Sequence, residues 1–160
     1  MPKQAKKTGW SQQSNQSRCL KSAITLLARR EHSRHELVNK LQQKQMTEGV
    51  DLDALMDQLE QSNYLSDQRF AEMFARSRIQ RGQGPQKIQY ELNQRGIDAT
   101  LIAETMQSAS VDWFILAQQQ RQKRFGLPLP DNYKEQARQS RFLAGRGFFS
   151  HTIQMIFNRQ

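Results

Sequence analysis

The stretch Leu92-Asn93-Gln94-Arg95-Gly96-Ile97 shares a pattern with Leu143-Ala144-Gly145-Arg146-Gly147-Phe148, 51 residues later: the same leucine, arginine and glycine, followed by a large apolar residue. The match continues after each stretch at apolar positions: Ile102 and Met106 in one copy, Ile153 and Phe157 in the other. A repeat of this length is one supersecondary unit, which buries its apolar side partly against its neighbours. The chain is therefore predicted to be a tandem array.

A third, weaker copy precedes these two, since Leu37 and Leu41 stand 51 residues before Ile88 and Leu92. Apolar residues recur at helical spacing through all three copies, and no segment alternates apolar and polar residues as a strand would. We predict an all-α fold of three tandem three-helix-bundle repeats in an elongated, curved array. The predicted ranges are a disordered basic tail and three repeats: 1–17, 18–65, 66–109 and 110–160.

Several residues are predicted to begin or end these helices. Ser33 and Glu36 have the spacing of a capping box, and Pro85 suits a first helical turn because it lacks an amide hydrogen. Gly96 is placed to end a helix in the left-handed conformation. Candidate N-caps precede the other helices: Ser66, Asp67, Asp98 and Asp112.

Composition restricts the class of protein. Apolar residues make up 36% of the 160 residues, which suits a thin, extended core better than one compact globule. The single cysteine excludes an internal disulfide framework and suits a reducing compartment. No apolar run approaches the roughly 20 residues that span a bilayer, and the N-terminus lacks a hydrophobic signal core. These features predict a cytoplasmic location without a membrane partner.

Charge is segregated along the chain. Successive segments carry net charges of +7, −5, +4, −3 and +6, which sum to the total of +9: residues 1–40, 41–72, 73–95, 96–119 and 120–160. Alternating blocks of this kind favour an anionic partner, such as nucleic acid or an acidic protein groove. The alternative, that the basic residues only solvate helix faces, stays open for any single residue.

Catalytic and metal sites are not predicted. His32 and His35 lie three residues apart near Glu31 and Glu36, but they lack the spacing of a known zinc motif. The segment Gly82-Gln83-Gly84 lacks the Gly-Lys-Ser/Thr ending of a phosphate-binding loop. No nucleophile, general base or metal cluster supports an enzyme such as a nuclease.

Two basic clusters are the candidate contact residues, and they occupy corresponding places in the second and third repeats. The first surrounds the glycine turn, where a phosphate could approach the backbone closely: Arg76, Arg78, Arg81 and Lys87. The second follows the matching helix and continues on the next one: Arg121, Lys123, Arg124, Arg138 and Arg141. Arg95 and Arg146 are assigned mainly to stabilising helix ends. Trp113 and Phe70 are expected to pack in the core, and the role of Trp10 is open.

These residues carry a resemblance to the RecX regulatory proteins. It covers roughly residues 19 to 158 and rests on four segments in order: Leu26-Leu27-Ala28-Arg29-Arg30 with Ser33-x-x-Glu36-Leu37, Tyr64-Leu65-Ser66-Asp67-x-Arg69-Phe70-Ala71, Gly82-x-Gly84-Pro85-x-Lys87-Ile88-x-x-Glu91-Leu92-x-x-x-Gly96-Ile97, and Arg141-Phe142-Leu143-x-x-Arg146-Gly147-Phe148. One departure is Ser66, where an acidic residue is common in the family.

The resemblance implies tandem three-helix repeats that need no cofactor and bind the recombinase RecA. We also expect the chain to be a monomer. The resemblance implies binding in the helical groove or at the end of the RecA filament on DNA. The implied effect is inhibition of the RecA ATPase, strand exchange and coprotease activities. The residues themselves predict weak, sequence-independent contacts to single- and double-stranded DNA, because the candidate contacts are Arg and Lys suited to phosphates and no compact base-reading set stands out. The alternative is a stand-alone DNA-binding protein that uses tandem helical modules.

Overall fold

The computed structural model describes the backbone of residues 8–158 and the side chains of residues 13–158. Within that part the fold is all-helical, with nine helices and no strand: α1 Thr8–Arg29, α2 Arg34–Gln43, α3 Leu52–Gln61, α4 Asp67–Gln80, α5 Pro85–Gln94, α6 Ala99–Ser108, α7 Trp113–Phe125, α8 Tyr133–Arg146 and α9 Ser150–Phe157. The predicted helical class is confirmed. No helix among the described residues has the length and apolar character to cross a bilayer.

The first helix begins earlier than the sequence predicts. Residues 8–17 belong to the predicted tail of 1–17, yet they form the first turns of α1. They continue a helix whose apolar face is fixed in the core by Cys19, Ala23 and Leu26, and extending a formed helix adds one hydrogen bond for each residue ordered. Residues 1–7 of the predicted tail and the side chain of Trp10 lie outside the described residues.

Most of the predicted helix caps are present. The Ser33 hydroxyl accepts from the Glu36 amide over 3.1 Å, and the Ser66 hydroxyl accepts from the Arg69 amide over 3.1 Å. Gly96 follows the last turn of α5 with φ +78°, as a left-handed helix end requires. Asp98 and Asp112 are the N-caps of α6 and α7, and the side chain of each accepts a hydrogen bond from a backbone amide in the first turn. Local sequence therefore sets where these helices begin and end.

The chain forms two compact units, residues 1–70 and 71–160, and their boundary falls inside α4. The first unit has a core contributed by α1, α2, α3 and the residue Leu65: Cys19, Ala23, Leu26, Leu37, Leu41, Leu55, Met56, Leu59 and Leu65. In the second unit α7, α8 and α9 pack against one another around a core of their own: Ala117, Leu143, Phe148, Ile153 and Ile156. The half-buried Trp113 packs against this core, as predicted.

The apolar positions that repeat at 51 residues are core positions. Leu92 and Leu143 are both fully buried, and Ile97 and Phe148 are 2% and 1% exposed. The recurrence therefore reports equivalent packing positions in the second and third repeats. The predicted repeat ranges of 18–65, 66–109 and 110–160 stay a prediction.

Candidate nucleic-acid interface

The glycine turn before α5 is docked on the end of α8. The Gly84 amide donates to the carbonyl oxygen of Arg146 over 2.7 Å, and the Gln86 amide donates to that of Gly147 over 2.9 Å. A Cβ at Gly84 would meet the backbone of Gly147, and one at Gly147 would meet the side chain of Lys87. The close approach that these glycines permit is therefore made by protein backbone, at the place where the sequence suggests a phosphate.

A basic groove opens between α7 and α8 beside this turn. We call it the α7–α8 groove, and five residues line it: Gln120, Lys123, Arg124, Phe142 and Arg146. Lys123 and Arg124 are exposed on the last turn of α7. The Arg146 guanidinium lies over the Phe142 ring, 5.4 Å from its centroid. The groove therefore presents three cations around one aromatic ring.

The two predicted basic clusters meet at this groove through Arg81. Arg146 donates from Nη1 to the carbonyl oxygen of Arg81 over 3.0 Å, and Gly82 lies against the side chain of Gln120. The Arg81 side chain is exposed. Among the described residues, Arg81, Lys123 and Arg124 form no ion pair. Cations without a carboxylate partner are the ones available to an external anion.

Arg146 lines the groove, although its position in the sequence predicts mainly a role in stabilising a helix end. Its place before Gly147 is explained by the helix end, and its carbonyl accepts the bond from Gly84. The guanidinium nevertheless reaches the groove. Only the folding of the third repeat against the glycine turn brings it beside Arg81, and this tertiary contact has no signal in the sequence.

Arg121 was wrongly predicted as a contact residue, because its side chain is 1% exposed. Its Nη2 donates to the Leu127 carbonyl over 3.0 Å, and its Nη1 donates to the Pro128 carbonyl and to Gln139 Oε1, each over 3.2 Å. Burial lowers the pKa of the guanidinium. This arginine holds the loop between α7 and α8, and it is not presented to a partner.

Two more predicted contact residues, Arg78 and Arg138, are paired within the protein, and a third, Lys87, is half-buried. Arg78 is half-buried, pairs with Glu91 over 2.9 Å and lies 4.4 Å from the centroid of Phe74. Arg138 pairs with Glu135 over 3.1 Å, and its guanidinium lies over the ring of Phe125. Lys87 is half-buried beside Gly147. The charges of Arg78 and Arg138 are therefore less available to an external anion than those of Lys123 and Arg124, which have no ion pair among the described residues.

Arg76 and Arg141 are exposed and lie outside the α7–α8 groove. Arg76 lines a separate, mainly apolar pocket between α4 and α6. Arg141 lies on α8, immediately before the groove residue Phe142. Among the described residues, the side chains of Arg78, Arg121 and Arg138 bond to partners inside the protein, and those of the other predicted cations do not.

The acidic segment of α3 is partly neutralised inside the first unit. Arg34 pairs with Asp57 over 2.8 Å, with Glu60 over 3.2 Å and with Asp53 over 3.5 Å. The hydrogen bond to Asp57 is the main cause that raises the pKa of Arg34. Asp51 caps α3 through the Ala54 amide. These carboxylates have structural partners and do not form a free anionic patch.

The histidines of the first unit also have structural partners. His32 is 1% exposed and donates from Nδ1 to the Arg30 carbonyl over 3.0 Å, while His35 bonds to Asn39 on the same helix. Within the described part of the chain, no three His, Cys, Asp or Glu side chains converge as a metal site would need.

Family comparisons match three successive segments of the chain. They are described as the first, second and third three-helix domains of RecX, and they match residues 19–50, 66–106 and 112–157. Together these segments cover most of the sequence.

Individual relatives agree with the family match. The chain is 42% identical over 132 residues to the Regulatory protein RecX of Halorhodospira halophila, which covers 82% of this chain and 81% of that protein. It is 37% identical over 150 residues to the Regulatory protein RecX of Salmonella newport, covering 88% and 90%. The crystal structure of RecX from Lactobacillus salivarius shares the fold, with a TM-score of 0.74, 20% identity and coverage of 89% and 94%. On these matches, the chain belongs to the RecX family of regulatory proteins.

Proposed function

We propose that this protein binds the RecA recombinase filament on DNA, in its helical groove or at its end, and inhibits RecA. The inhibited activities are ATP hydrolysis, strand exchange and coprotease activity, so the protein modulates recombination, DNA repair and the SOS response. Family membership over nearly the whole chain is the observation that carries this proposal. The protein acts as a monomer in the cytoplasm, without a cofactor and without chemistry of its own.

The α7–α8 groove supports the DNA part of the proposal. Lys123, Arg124 and Arg146 surround the exposed side of the groove, and Arg81 lies beside it. Lysine and arginine head groups on an open surface suit phosphates and carry no base sequence by themselves. We therefore propose weak, sequence-independent contacts to single- and double-stranded DNA.

A second candidate function rests on the same groove. Unpaired cations attract DNA with or without a recombinase, so a stand-alone DNA-binding protein would present a similar surface. The two candidates differ in the concentration of this protein that is needed to inhibit RecA. A plain DNA binder acts only when it covers the DNA.

The test measures ATP hydrolysis by RecA on single-stranded DNA while this protein is titrated in. The expected result is loss of hydrolysis at concentrations well below those that bind the same DNA without RecA. Fluorescence anisotropy of the labelled DNA supplies the second titration. Inhibition only at concentrations that coat bare DNA would favour the stand-alone DNA binder.

A further inference from the structure

The loop between α7 and α8, residues 126–132, is fixed from inside the protein. Two of its carbonyl groups, those of Leu127 and Pro128, accept hydrogen bonds from the buried guanidinium of Arg121 over 3.0 and 3.2 Å. The third acceptor is Gln139, which is 3% exposed and itself donates to Glu135 over 3.2 Å. All these partners are neutral oxygens. A buried cation has a substantial desolvation cost, so holding this loop in place costs folding free energy.

The fixed loop turns its apolar side chains outward. The carbonyl group of Leu127 faces Arg121, while its side chain is 74% exposed; the side chain of Leu129 is 44% exposed. Tyr133, at the start of α8, is 84% exposed. Several large apolar side chains exposed within a short ordered stretch are typical of an interaction surface. We call Leu127, Leu129 and Tyr133 the apolar tip.

The apolar tip is also preorganised for binding. Pro128 and Pro130 restrict the backbone on either side of Leu129, and Arg121 holds the carbonyl groups before it. A contact surface that is already ordered loses less conformational entropy when a partner binds. A linker between two helices needs no such constraint.

The charges around the apolar tip indicate the chemistry of its partner. Exposed cations flank it in sequence, with Arg124 on the α7 side and Lys134 on the α8 side. Asp131 is the one acid of the loop and is exposed, and the nearby Glu135 on α8 already bonds Arg138 and Gln139. An acidic rim on the partner complements these flanking cations, Arg124 and Lys134. Two of the three residues of the apolar tip are leucines, which fill apolar recesses of proteins, whereas nucleobases stack on aromatic rings and Tyr133 is the one ring in the tip.

We propose that the apolar tip inserts into an apolar recess with an acidic rim on a folded protein partner. This contact is separate from the phosphate contacts of the α7–α8 groove. The identity of the partner at the apolar tip rests on the proposed function, so RecA on single-stranded DNA is the probe. The contact gives the protein affinity for the recombinase itself, in addition to affinity for DNA.

The test compares the wild-type protein with the double variant Leu127→Ser/Leu129→Ser. The matched control is Ile115→Ser/Met155→Ser, because both residues are 49% exposed on other surfaces of the same unit. We expect the loop variant to need at least tenfold more protein for half-inhibition of RecA ATP hydrolysis, as the loss of two buried leucines implies. Its affinity for bare DNA stays within twofold of wild type, and the control variant inhibits as wild type does.

Each contrary outcome identifies a different error. If the loop variant inhibits as well as wild type, the proposed contact does not exist, although the proposed function stands. A parallel loss of bare-DNA affinity would make nucleic acid the occupant, and a wild-type dimer that the variant abolishes would make it a second copy of this chain. If the wild-type protein leaves RecA hydrolysis unchanged, the proposed function fails and this contact fails with it. Circular dichroism melts confirm that both variants are folded.

Discussion

The backbone amide of Gly84 donates to the carbonyl oxygen of Arg146 over 2.7 Å, which joins the turn before α5 to the end of α8. The contact is possible because both sides lack side chains where they meet: a Cβ at Gly84 would overlap the backbone of Gly147. The glycine turn and the arginine-glycine helix end are therefore two halves of one joint within the second unit. A backbone bond of this kind also fixes where the Arg146 guanidinium emerges.

Replacing either glycine of this joint should destabilise the second unit. Gly147→Ala places a Cβ against Lys87 at a residue with φ +96°, and Gly84→Ala places one against backbone. We expect a loss of about 1–3 kcal/mol in the free energy of unfolding for each, from overpacking and, at Gly147, from left-handed strain. Urea denaturation measures it.

Gly145→Ala is the matched control for these two variants. Gly145 lies in α8 only two residues before Gly147, and nothing lies within 4 Å of the position of its Cβ. Alanine there should raise stability by about 0.5–1 kcal/mol, because glycine is a poor helix residue. A similar loss in all three variants would refute the joint and indicate general sensitivity of α8.

The sequence predicted the helices, their caps and the core positions, because these depend on local periodicity and on residues a few places apart. Ser33, Gly96, Asp98 and Asp112 all act as predicted. The candidate site was predicted only in part. Lys123 and Arg121 are two residues apart with the same charge, yet one is exposed and the other is buried, because the loop after α7 folds back over Arg121.

Arg121→Ala should therefore behave as a core variant. Removing the guanidinium opens a cavity. It also leaves three acceptors without their donor: the carbonyl oxygens of Leu127 and Pro128 and the side-chain oxygen of Gln139. We expect a loss of about 2–4 kcal/mol in the free energy of unfolding. Lys123→Ala/Arg124→Ala should change it by less than about 0.5 kcal/mol, because both side chains are exposed. Equal melting temperatures for the two variants would contradict the structural assignment of Arg121.

The first unit should lose stability in mild acid through His32. Burial lowers the pKa of His32, and the hydrogen bond from Nδ1 to the Arg30 carbonyl opposes this effect. The charges of Arg30 and Lys40 also lower the pKa, while Glu36 raises it. Since the folded pKa lies below the ordinary value of about 6.5, folding favours the neutral ring. That stability is present above pH 6.5 and is lost as the pH falls toward the folded pKa.

The variant His32→Asn isolates this effect, because asparagine cannot titrate and keeps a donor near the place of Nδ1. Below pH 6.5 the wild-type free energy of unfolding should fall more steeply than that of the variant. The difference in slope should approach, at most, about 1.4 kcal/mol per pH unit for one proton. Urea denaturation from pH 7.5 to 5 measures both slopes. Parallel slopes would mean that His32 is protonated equally in the folded and unfolded states.

The last prediction concerns the exposed cations of the α7–α8 groove. Lys123→Ala/Arg124→Ala should weaken duplex DNA binding and reduce inhibition of RecA, while the melt stays unchanged. If each residue meets one phosphate, the slope of log affinity against log salt should become shallower by about 1.8.

The control Arg18→Ala/Lys21→Ala removes two exposed charges from the first unit and should change the slope less. Leu143→Ala should instead cost about 2–5 kcal/mol and lose function through unfolding, since Leu143 is fully buried. If the groove variant keeps both its DNA affinity and its inhibition, the groove cations only solvate the surface, and the contact must lie at Arg76 or Arg141 instead.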